Sequence, residues 1–156
     1  MTADSHFTTA ERIASLKAAV VGGFTAGFIS LIILVWHRVL IFGTDFNLLN
    51  LLTGMASLTL LVNGAIAGLS GALFALTYRY AIRTDNNPQL NTGVVFAFTL
   101  VRGLAQVDTA SAIAQNFWPF LSACGESFLI FGVTALILTF AMQQQWLTLF
   151  GQDASI

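Results

Sequence analysis

The chain is 156 residues long, 56% hydrophobic and only 8% charged, with a formal net charge of -1. A soluble domain carries about 25% charged residues, so this inventory cannot coat a water-facing surface. The mean hydropathy of +0.81 agrees, and the lack of any basic block argues against nucleic acid as a partner.

The N-terminal segment 1–17 is polar and holds both Glu11 and Arg12. The apolar run after it is longer than the 7–15 residues of a signal-peptide core, so a retained anchor is expected rather than a cleaved leader. Thr8-Thr9-Ala10-Glu11 has the form of a capping box, which predicts a helix from about Thr9. The first expected span is 18–42, with Trp36, His37 and Arg38 near its far end, where an amphipathic ring and a snorkelling guanidinium are comfortable. Gly43-Thr44-Asp45 breaks the run, and 46–53 is expected to be a short helix lying in the interface, with Gly54 after it. The second span is 57–80, ending on Tyr78 and Tyr80 with Arg79 and Arg83 just outside. Thr84-Asp85-Asn86-Asn87-Pro88 is the strongest turn.

The third span, 92–107, is the shortest and is interrupted by Arg102 and Gln106; a linker at 108–116 leads to the fourth, 117–142, and a polar tail follows. The expectation is therefore an all-α polytopic membrane protein, one membrane domain of four transmembrane helices and an interfacial helix. With four spans, Arg12, Lys17, Arg79 and Arg83 lie on the N-terminal side against Arg38 opposite. That bias puts the N-terminus on the cytoplasmic side of a bacterial inner membrane, or the stromal side of a thylakoid-type one.

Small residues recur every four positions in the first two spans: Ala19, Gly23 and Gly27, then Gly64, Gly68 and Ala72. Lipid tails are as apolar as leucine, so membrane helices associate by close approach, and small residues permit it. A second small row flanks each, through Gly22 and Ala26 and through Ala67, Gly71 and Ala75. The zipper is expected to pack the first span on the second, or on another subunit, rather than to line a pore; a seam this wide exceeds the needs of one partner helix and points further to additional subunits or a homo-oligomer. The two stretches also align at an offset of 45 residues, which is either an internal repeat or two glycine-zipper helices converging on one composition.

Glu126 and Arg102 are the ionisable groups well inside the expected spans. A charge in hydrocarbon costs at least ~2.5–3.5 kcal/mol on insertion scales, so each needs a partner, a proton or a wet cavity. Counted from the linker at 1.5 Å per residue, their levels differ by only ~6 Å, which suits an intramembrane ion pair fixing two helices; a proton or ion relay is the alternative. Asn63 is a candidate interhelical hydrogen-bonder and Cys124, the single cysteine, a small packing residue. His37 is either interfacial or a single axial ligand to a pigment; no second intramembrane histidine exists for a bis-histidine haem.

The chain holds no HExxH, GxSxG, P-loop or CxxC motif and no cluster with metal-ligand spacing. No enzyme, cofactor or metal is implied. The leading expectation is an accessory, scaffold or assembly subunit packed into a larger membrane complex. The alternative is an oligomeric channel or transporter protomer with Arg102 and Glu126 on its pathway.

Overall fold

A computed structural model describes residues 9–42, 55–82, 87–107, 113 and 116–149. Among these the chain is helical, without strands, in the order α1 (Thr9–Phe42), α2 (Met55–Ala81), α3 (Pro88–Ala105) and α4 (Trp118–Gln143). Three of these helices are long and apolar enough to cross a membrane: Thr9–Leu40, Ser57–Ala81 and Trp118–Gln143. The 18-residue α3 is shorter and carries Arg102 in its last turn. The interfacial helix expected over 46–53 lies outside the described residues.

Local sequence explains where the helices begin and end. Asn87 caps α3 by accepting from the Gln89 backbone at 3.0 Å, with Pro88 in the first turn, where its missing N–H costs nothing. Asn116 accepts from the Trp118 backbone at 3.2 Å ahead of Pro119 in α4. Beyond α4 the chain turns sharply: Trp146 N–H donates to Ala141 O at 3.0 Å and Gln145 N–H to Met142 O at 3.1 Å. This is a Schellman closure, with Gln145 in the left-handed position at φ 58°. The turn sends Leu147 back into the core, so the segment read as a polar tail begins by packing on the bundle.

The helices alternate in direction. α1 packs most extensively on α2 and α3 on α4, giving two antiparallel hairpins. In the first, a Cβ added to Gly22 would lie 2.7 Å from the Gly71 carbonyl oxygen, and one on Gly23 would lie 3.1 Å from that of Gly68. A Cβ on Gly27 would lie 3.5 Å from the Gly64 carbonyl and one on Gly23 the same distance from the Ala72 methyl. Ala26, Ala67 and Ala75 are fully buried. Both small-residue rows therefore face one another across the α1–α2 seam, and Ala19 at its edge is half-buried. In the second hairpin Gly103 performs the same service, since its Cβ would sit 3.2 Å from the Cys124 Cα.

The middle of the bundle is aromatic. Phe74 of α2 lies 5.4 Å from Phe98 of α3 and 5.1 Å from Phe131 of α4, centroid to centroid, and Phe98 and Phe131 are 5.6 Å apart. These tilted and edge-on contacts suit ring quadrupoles. Tyr78 stacks beside Phe74 and pairs its hydroxyl with that of Thr139 on α4 at 2.9 Å.

The N-terminal end of the bundle is closed by a buried ion pair. Arg79, with no exposed surface, donates from Nη2 to Glu11 Oε2 at 2.5 Å, from Nη1 to Ser15 Oγ at 2.7 Å and from Nε to the Thr148 carbonyl at 3.0 Å. Glu11 is 3% exposed. Each charge also suits its own helix, the carboxylate in the first turn of α1 and the guanidinium in the last turn of α2. Tyr80 shares the Ser15 hydroxyl at 3.2 Å.

Removing one partner of a buried ion pair strands the other charge and costs about 3–5 kcal/mol. Glu11→Ala is therefore expected to lower the thermal midpoint in detergent micelles strongly, and the paired Glu11→Leu/Arg79→Met replacement to cost less than the sum of its two single changes. An additive outcome would show that the two side chains do not act together.

The glycines divide by environment. Gly22→Val should destabilise by about 1–3 kcal/mol through overpacking at the seam. At Gly125, where an added methyl meets nothing within 4 Å, Gly125→Ala should be neutral or stabilising by up to ~1 kcal/mol through helix propensity. Thermal unfolding of the two variants side by side tests the register.

Candidate functional site: a polar cavity shared by four helices

At the end of the bundle opposite Arg79, every helix contributes a polar side chain to one half-open cavity of about 200 Å³. Ser30 and His37 come from α1, Asn63 from α2, Arg102 and Gln106 from α3, and Glu126 from α4. Antiparallel packing brings these positions to one level: the second half of α1 and the end of α3 meet the starts of α2 and α4. Ile130 forms part of the cavity wall and belongs to the apolar core that holds Phe74 and Phe131. The aromatic trio therefore lies beneath the cavity.

Arg102 and Glu126 are both on this wall. They make no salt bridge within 4.0 Å; among the described residues it is His37 that approaches Glu126, Nε2 to Oε1 at 3.6 Å. That separation exceeds a hydrogen bond, and the contact is an ion pair only while His37 is protonated. The two side chains are 51% and 32% exposed, so the cavity mouth is open to its surroundings. Arg102 has its Nε buried without a hydrogen-bond partner among the described residues. The Gly103–Cys124 approach holds α3 close against α4 beside Arg102, which lines the cavity.

Two buried hydroxyls stand next along the helices to the cavity's charged residues. Thr99 is one turn before Arg102 and Ser127 directly follows Glu126; both are buried, and neither hydroxyl has a hydrogen-bond partner among the described residues. Buried polar atoms are nearly always paired, which makes these two exceptions. Ser122, by contrast, is exposed and bonds back to the Pro119 carbonyl at 3.0 Å.

Of the residues singled out from sequence, the structure brings His37, Asn63, Arg102 and Glu126 to this one cavity. The small residues Gly23, Gly27, Gly64, Gly68 and Ala72 are elsewhere, in the α1–α2 seam, with Ala19 beside them. Sequence reasoning missed the Glu11–Arg79 pair. The signal was present: Glu11 and Ser15 share one face of α1, and the zipper register continued three turns towards the start of α1 brings that face to the last turn of α2. It also missed His37 as a neighbour of Glu126, because spans one and four are far apart in the chain and carry no shared pattern. Among the described residues no group of three or more His, Cys, Asp and Glu could hold a metal ion. The chain matches no protein-family model, no curated protein and no solved structure.

Partly exposed charge pairs are worth under about 1 kcal/mol. A double-mutant cycle of His37→Ala and Glu126→Gln, read by thermal unfolding, should show a favourable coupling no larger than that. Purely additive changes would mean that the two side chains act independently.

Proposed function

We propose that this is the protomer of a small membrane channel or transporter, with Glu126, Arg102 and His37 on its polar pathway. The observation that carries this reading is the cavity to which all four helices contribute a polar side chain. The orphaned Thr99 and Ser127 hydroxyls, next along the helices to its charged residues, add support. Ionisable groups inside membrane helices face polar routes or one another because lipid does not solvate them.

The reading takes α3 as a fourth span. Its 18 residues give ~27 Å of helix, slightly short of the ~30 Å hydrocarbon layer, and Arg102 in its last turn is accommodated by the cavity rather than by lipid. It also puts the N-terminal side in the cytoplasm, or in the stroma of a plastid. Arg79 is matched by Glu11, so that bias rests on Arg12, Lys17 and Arg83 against Arg38. The membrane is a bacterial inner membrane or a thylakoid-type one.

The aromatic trio closes the cavity within one chain, so passage requires those rings to move or a second copy to complete the route in a homo-oligomer. The same closure favours a second reading, an accessory or scaffold subunit of a larger membrane complex in which the polar cluster only fixes helix positions. The glycine zipper does not strengthen that second reading, because both of its rows already face each other inside the chain.

Reconstitution into liposomes separates the two. On the pathway reading, Glu126→Gln abolishes proton or ion flux while expression yield and thermal midpoint stay close to the parent. If Glu126→Gln and Arg102→Gln each lower the yield and the double variant recovers it, the cluster is structural. A single discrete heteromeric assembly on a native gel would then identify an accessory subunit.

A further inference from the structure

A second feature lies at the opposite end, on the outer face between α1 and α4. An apolar groove of about 400 Å³ runs there, walled by Val20 and Val21 of α1 and by Ile137 and Phe140 of α4, with Lys17 and Trp146 at its mouth. The neighbouring hollow, about 280 Å³, shares Lys17 and Trp146 and is bordered by the folded-back Thr148. We propose that this groove is a binding site for one anionic phospholipid, its phosphate at the Lys17 ammonium and one acyl chain laid between α1 and α4.

The level of the groove argues for this occupant. α1 has 34 residues, or ~51 Å of helix against a hydrocarbon layer of ~30 Å, so part of α1 must lie in the headgroup region. The uninterrupted apolar run starts at Ala18, which sets Lys17 at the boundary where lipid phosphates sit. Trp146, 74% exposed, is at the same level, where an indole finds both an apolar bed and a polar edge. From that boundary the valines and the Ile137–Phe140 face lead into the hydrocarbon, along the course of an acyl chain. The charge complementarity is specific. Among the described residues Lys17 is the cation that lines the groove and no acidic side chain lines it, whereas Arg79 nearby is consumed by Glu11.

Native mass spectrometry of the full chain in mild detergent, with phosphatidylglycerol and phosphatidylcholine added in equal amounts, tests the site. One lysine near an anionic headgroup is worth about fivefold in affinity, so the parent protein should retain phosphatidylglycerol about fivefold over phosphatidylcholine. Lys17→Gln should bring the two to parity and Lys17→Arg should preserve the preference. Val20→Trp, which fills the groove, should reduce retention of both while circular dichroism shows the helices intact. Equal retention of the two lipids by the parent, a preference untouched by Lys17→Gln, or a dimer mass that excludes lipid would each overturn the proposal. Should Val20→Trp lose its helices, the lysine variants decide alone.

Discussion

Burying the Arg79 guanidinium is the constraint around which this bundle is arranged. A charge withdrawn from water costs several kcal/mol unless its donors are matched. Here they are matched from three directions: a carboxylate and a hydroxyl on α1 and a main-chain carbonyl beyond α4. Satisfying Arg79 therefore fixes three things together: the depth of α1 against α2, the register of their small-residue seam, and the return of the chain after α4. Gln145 accepts a left-handed backbone, unusual for a residue with a side chain, in the turn that leads to the Thr148 carbonyl. The tolerated strain is a local cost that serves a distant charge.

The polar groups are sorted to two ends with an aromatic layer between them, and the ends are built on opposite principles. Around Arg79 the partners are close and buried. Around Glu126 the His37 ring stands at 3.6 Å and both side chains remain partly exposed. Close pairing makes a structural fastening; loose pairing leaves charge available to a guest. This contrast, rather than the presence of charge in an apolar helix, sets the second cluster apart from the first.

Much of the helical architecture is legible in the sequence because hydrophobic length and helix-ending residues act locally. The turn at Asn87-Pro88 and the small residues of α1 and α2 each carry their meaning within a few positions. What is not legible is how each helix is turned towards its neighbours. Arg102 and Glu126 fall at neighbouring depths, and depth was the quantity the sequence could supply. Azimuth around each helix was not, and it is azimuth that turns Glu126 towards His37 and sets Arg102 along the wall. Leu147 was hidden for a related reason: its burial depends on a turn made by Gln145, a residue without a turn signature.

The boundary between the two hairpins carries both kinds of polar contact. α4 packs on α1 as well as on α2 and α3, and the boundary holds the aromatic trio, the Tyr78–Thr139 hydroxyls and the Arg79–Thr148 bond at the closed end. The polar cavity lies on the same boundary, with Ser30, His37 and Asn63 on one hairpin and Arg102, Gln106 and Glu126 on the other. One seam is thus fastened by buried hydrogen bonds at one end and, at the other, bridged by the 3.6 Å approach of two partly exposed side chains.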